Sequence, residues 1–106
     1  MDILKSELGQ YLRKLRKGRE ETLHQVSKET DIDSPLLSKI ERGERLPTLE
    51  QLKKIANYYK VPEKSLKVIY TAEKILKEYG VNETTFNAIK LVSEQLTPYI
   101  KKRKEQ

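Results

Sequence analysis

The side chains of this sequence that could do chemistry are mostly cations. Among 106 residues, 22 are Lys or Arg and 16 are Asp or Glu, a net charge of +6 and an isoelectric point near 9.5. That balance suits a polyanionic partner, whether nucleic acid or a membrane surface. Nucleophilic and metal chemistry have little to work with. There is no cysteine, which removes disulfide frameworks, thiolate nucleophiles and zinc knuckles together. The one histidine, His24, has no partner for a His-based metal cluster and is expected on an exposed helix face. Ser6, Ser27, Ser34, Ser38, Ser65 and Ser93 have no histidine at motif spacing to activate them. The expectation is no enzyme, no metal and no cofactor.

The cations are unevenly placed. Between Lys5 and Arg19, six basic residues stand against Glu7 alone; residues 68–100 hold three basic and four acidic residues, and the last six residues add +3. An electrostatic footprint thus belongs mainly to the first half, leaving the second as a packing or partner surface. The opening MDILKSELGQ lacks the flank and apolar stretch of a signal peptide, and no window is long enough to span a bilayer. A cytoplasmic location without a membrane partner is expected. The length allows one small domain, or one with an appendage, and is short for a two-layer enzyme fold with a deep cleft.

Helices must position these cations, because no alternating strand pattern persists for five residues while apolar residues recur at helical spacing. Ser6 can cap a run carrying Leu8, Tyr11, Leu12 and Leu15 that ends near Lys17 and Gly18. Thr22 and Gln25 form a capping-box pattern for a short helix with Leu23 and Val26 that ends near Thr30. Asp31 marks a turn, and Asp33, Ser34 and Pro35 open a third helix with Leu37 and Ile40 inward and Gly43 as its stop. Thr48 and Gln51 repeat the box before Leu49, Leu52, Ile55, Ala56 and Tyr59. Past Pro62, a stripe of Leu66, Ile69, Tyr70, Ala72, Ile75, Leu76 and Tyr79 closes at Gly80. Asn82 caps a last helix with Phe86, Ile89, Val92, Leu96 and Ile100, in which Pro98 predicts a kink or early end before a frayed basic tail. Tyr11, Tyr59, Tyr70 and Tyr79 fall at core spacing, so packing rather than base stacking is expected of them.

Two short helices joined by a tight turn between Leu23 and Arg42 resemble the helix-turn-helix of the phage-repressor and Cro-like family, the xenobiotic-response-element type. Gly9, Leu12, Arg16, Thr22, Val26, Ile32 and the run LLSKIERGERLPTLEQLKKIA from Leu36 to Ala56 carry the resemblance, which covers residues 6–66. It implies an all-α fold: a five-helix lambda-repressor-like DNA-binding domain over 6–66, then a C-terminal helical extension over 67–106. It also implies double-stranded DNA as partner, with the third helix entering the major groove N-terminus first. Carried over by position, Asp33, Ser34, Pro35, Leu36 and Lys39 face the base edges. Thr22 and Leu23, at a helix start whose free amides suit an anion, meet phosphates together with Arg42 and Arg45. Arg16 and Glu41 are implied to pair across the first and third helices.

The sequence departs from the family pattern at Leu23, where Gln is frequent, at Ser27 in place of a smaller residue, and at Asp31 in place of a turn glycine. On the reading face, Pro35 and Leu36 offer no side-chain hydrogen bond to a base, and Asp33 is repelled by phosphate unless its carboxylate caps the helix. A short or shape-weighted readout is expected, with Leu36 suited to a thymine methyl. In the extension, Phe86, Ile89, Val92 and Leu96 are too much apolar surface to leave in water. They form a homodimer seam, or the two helices fold back to complete the monomer core. The functional expectation is a sequence-specific transcriptional regulator, a repressor or restriction-modification controller, binding a palindromic operator as a dimer. The alternative is an antitoxin-like module that covers a toxin and binds DNA secondarily.

Overall fold

The computed structural model describes residues 7–105, whose regular structure is entirely helical: α1 (Glu7–Gly18), α2 (Leu23–Thr30), α3 (Ser34–Glu41), α4 (Leu49–Tyr59), α5 (Glu63–Tyr79) and α6 (Glu83–Glu105). Ser6, the expected cap of α1, and Lys5, the first of the cations, lie outside the described residues. The chain divides after Ile75 into two compact units.

Local chemistry sets most of the boundaries in the first unit. Both Thr-x-x-Gln boxes close reciprocally. Thr22 Oγ1 accepts from the Gln25 amide at 3.1 Å while Gln25 Oε1 accepts from the Thr22 amide at 2.7 Å, and Thr48 with Gln51 repeats this at 3.1 and 2.9 Å. Asp31 ends α2 in the left-handed region at φ 59°, a conformation Asp tolerates because its short side chain can bond locally. Gly43, at φ 77°, ends α3. Helix α1 packs on α3, α3 on α2, and α2 on α4. Leu8, Leu12, Val26, Ile32, Leu37, Ile40, Leu52, Ile55 and Leu66 are each buried at this junction. Removing one such side chain from water contributes roughly 1.5–3 kcal/mol, so the core depends on a few well-placed residues.

Helix α5 enters this core on a narrower face than its apolar pattern implies. Leu66 is fully buried and Ile69 and Tyr70 pack against the core, whereas Ala72 is exposed and Tyr79, expected to pack, is 69% exposed. At about 100° per residue, both lie roughly a third of a turn or more from the Leu66–Tyr70 direction. The next inward position belongs to Glu73, whose Oε1 accepts the backbone amide of Leu8 at 2.6 Å. That amide is in the first turn of α1 and has no acceptor within its own helix; the carboxylate also faces the positive end of the α1 dipole. Glu73→Ala is expected to lower stability by about 1–3 kcal/mol by stranding a buried donor, and Glu73→Gln, which keeps an acceptor, to recover part of this. Urea titration checks it, and an unchanged midpoint for Glu73→Ala would show that the bond does not hold α1.

In the second unit, Gly80 adopts φ 90° after α5 and Asn82 caps α6. Its Oδ1 accepts from the Thr85 amide at 2.8 Å, while Asn82 Nδ2 and Thr85 Oγ1 both donate to the Tyr79 carbonyl. Helix α6 runs through Pro98 to Glu105, so the expected early end at Pro98 is not found. Pro98 removes one amide from the ladder, a loss that an exposed helix tolerates because water can reach the orphaned carbonyl. Beyond it, Lys101, Lys102 and Arg103 are good helix formers that also suit the negative end of the helix dipole.

Candidate nucleic-acid interface

The α2–α3 pair gathers the candidate DNA residues. At the start of α2, the capping box uses the amides of Thr22 and Gln25, leaving those of Leu23 and His24 in the first turn without an intrahelical acceptor. Such a helix start suits a phosphate oxygen. Leu23 itself is half-buried against the core and His24 is exposed.

At the start of α3, Asp33 is the cap: its Oδ1 accepts from the Leu36 amide at 2.8 Å. One carboxylate oxygen is thereby committed to its own helix, whose free amides offset part of the group's repulsion of phosphate. Pro35 sits in the first turn, where a missing amide costs nothing, and is exposed. Leu36 turns partly into the core, and Ser34 is half-buried. Lys39 is fully on the outside and has no ion pair among the described residues. Of the five candidates, Ser34 and Lys39 therefore keep polar side chains free to reach outward. Arg42 and Arg45 follow α3 and are exposed; Arg42 Nε pairs with Glu44 Oε2 at 2.6 Å, with both side chains more than half exposed. An exposed pair of this kind is worth about 0–1 kcal/mol, so a phosphate can displace it.

The angle of α3 is held from behind by α1. Arg16 Nε and Nη2 donate to Glu41 Oε2 and Oε1 at 2.8 and 2.9 Å, a two-pronged bridge, and Nη1 donates to the Glu21 carbonyl at 2.9 Å. The side chains are 13% and 8% exposed, so the bridge is largely removed from water. The bonds to Glu41 hold the guanidinium pKa above its ordinary value, opposed in part by burial. About two turns earlier on α1, Gly9 lets the two backbones meet: a Cβ there would lie 2.5 Å from the Ile40 carbonyl oxygen and closer still to that of Glu41.

A second cluster, not legible in the sequence, ties the α1–α2 connection to α4. The Tyr58 hydroxyl donates to Glu21 Oε2, Arg19 Nη1 donates to the Tyr58 carbonyl at 3.1 Å, and the Arg19 guanidinium lies 4.7 Å over the Tyr58 ring. Glu21 raises the Tyr58 pKa by accepting its proton's hydrogen bond, and burial raises that of Tyr59. The partners stand 37 and 39 residues apart, so no local pattern announces them. Glu73 did leave a signal, a carboxylate at an inward position of an apolar stripe.

Among the described residues, no group of His, Cys, Asp and Glu side chains could hold a metal ion, and no helix is long and apolar enough to cross a membrane.

Comparison with known proteins places this geometry. A family described as a helix-turn-helix domain matches residues 7–66. An uncharacterized HTH-type transcriptional regulator of Bacillus subtilis, RghRB, is 42% identical over 62 residues; the match takes in 58% of this chain and 45% of the relative, so the chain spans less than half of that protein. Two solved structures share the fold. The restriction-modification controller protein C.AhdI of Aeromonas hydrophila aligns with a TM-score of 0.54 at 24% identity, over 57% of this chain and 92% of its own. The clp gene regulator ClgR of C. glutamicum aligns with a TM-score of 0.54 at 21% identity, over 68% of this chain and 94% of its own.

Proposed function

The chain belongs to the helix-turn-helix family of phage-repressor and Cro-like transcriptional regulators, and on that premise we propose that it is a DNA-binding regulator reading a palindromic operator as a homodimer. The observation that carries this is the α2–α3 pair inside the matched residues, with a left-handed Asp31 between its helices and the start of α3 facing outward. In this reading residues 6–66 form a five-helix DNA-binding domain, 67–106 a helical extension, and the chain acts in the cytoplasm without catalysis, as a repressor or a restriction-modification controller.

Helix α3 enters the major groove, with Ser34 and Lys39 as the polar readers and Leu36 and Pro35 in apolar contact. Asp33 acts by orienting α3. The start of α2 at Thr22 and Leu23, through the free amides of Leu23 and His24, holds the phosphates together with Arg42 and Arg45. Phe86, Ile89, Val92 and Leu96, 42–62% exposed along α6, supply the dimer seam; Phe86→Glu is expected to give a monomer by light scattering and weak binding to a full palindrome.

The deciding experiment is selection of bound duplexes from a random pool, followed by titration of the winner against salt. A palindromic consensus and a steep fall of log affinity with log salt are expected. Lys39→Ala should shift preference among half-sites, while Arg45→Ala should weaken all sequences equally and shallow the slope by about one unit. A chain that enriches no duplex and shows no salt response overturns the proposal.

A further inference from the structure

A cleft runs between α1 and the end of α3, lined by Gln10, Arg13, Lys14, Lys17, Gly18, Glu41 and Arg42. We propose that it seats backbone phosphates of the duplex beyond the bases read by α3, held by Arg13, Lys14 and Lys17. The inference rests on the DNA-binding reading above and extends its footprint onto α1.

Five observations carry it. Arg13, Lys14 and Lys17 are exposed and form no ion pair among the described residues. The carboxylate that lines the cleft with them, Glu41, is occupied, gripped by both prongs of Arg16. Three uncompensated cations on one concave wall concentrate a positive field there. The helix end does not oppose it strongly, because the Arg16 and Lys17 carbonyls already accept from the Arg19, Glu20 and Glu21 amides. Gly18 leaves open space where a side chain would narrow the cleft. Finally, Arg42 belongs both to the cleft and to the phosphate contacts proposed at the end of α3, so a strand that reaches Arg42 is already at the cleft mouth.

The test compares the wild-type chain with Arg13→Ala/Lys14→Ala/Lys17→Ala on the selected duplex and on a scrambled one, across a salt series. Each lost phosphate contact shallows the slope by about 0.9, so the triple variant should lose about two to three units, on the order of a hundredfold in affinity near 0.1 M salt. The ratio of selected to scrambled affinity should stay constant, because phosphate contacts carry no sequence information. Should the triple variant not fold, each single substitution is expected to remove about one unit. A variant that keeps the wild-type slope and affinity overturns the inference while leaving DNA binding intact. So does wild-type binding of free tripolyphosphate that the variant loses without any change toward DNA, which would assign the cleft to a soluble anion. A wild-type chain that binds no duplex at all overturns the function and the inference together.

Discussion

Gly9→Ala is expected to destabilise the fold by about 3 kcal/mol, the upper range for forcing an extra methyl group into a packed site. The sign is diagnostic, since an alanine in a helix interior ordinarily stabilises by about 0.5–1 kcal/mol over glycine. Here the new methyl group would press on the carbonyl oxygens of Ile40 and Glu41, backbone atoms of the last turn of α3 that have no rotamer by which to withdraw. The helices must separate, and the bridge between Arg16, about two turns further along α1, and Glu41 must lengthen with them. Gly18→Ala is the control: it sits at the end of the same helix with nothing within 4 Å of the added carbon, and it should be neutral or stabilising. Thermal and urea unfolding of the pair checks both. A Gly9→Ala protein as stable as the wild type would mean that the two backbones do not meet there.

Arg16→Ala should cost about 3–5 kcal/mol, as expected when one partner of a buried ion pair is removed and the other is left in place. Glu41 is 8% exposed and its side chain is short, so the stranded carboxylate cannot reach water without moving α3. Glu41→Ala is expected to cost less. The longer Arg16 retains its bond to the Glu21 carbonyl and can carry its charge outward along the aliphatic stem. A double-mutant cycle should therefore return a coupling of at least about 1.5 kcal/mol, within the range for contacting residues. Simple additivity would show that the two side chains do not act as a pair. Arg16→Lys separates charge from geometry: it keeps the cation but loses the two-pronged grip, and should recover only part of the stability. Because the bridge fixes the angle at which α3 is presented, the same variants should weaken DNA binding even at temperatures where they remain folded.

These two effects belong together. Gly9 sets how closely α1 approaches α3, and Arg16 sets the rotation of α3 once there; neither residue lies on α3, yet both govern where Ser34 and Lys39 point. Such support is what holds a binding constellation within reach of its target, and loosening it by an ångström costs function before it costs the fold.

What the sequence determined by itself was local. Thr22 with Gln25 and Thr48 with Gln51 are closed within three residues, Asp33 caps α3 through an amide three residues on, and Asp31 and Gly43 take left-handed turns, so each boundary is legible in a window of a few side chains. Most inward residues of α1 to α4 follow from helical spacing in the same way; Leu49, expected on the apolar face of α4, is instead 54% exposed at its first position, where no neighbouring helix covers it. Tertiary structure decided the rest. The stripe on α5 contained more apolar residues than one face can bury, and only packing selected Leu66 and Tyr70 over Ala72 and Tyr79. It also brought Glu73 to Leu8 across 65 residues, Tyr58 to Glu21 across 37, and the bare backbone of Gly9 against Glu41. Spacing along a helix states which way a side chain points, but not what stands opposite it. Hydrogen bonds and close approaches between distant segments depend on that second fact, which exists only once the helices have packed.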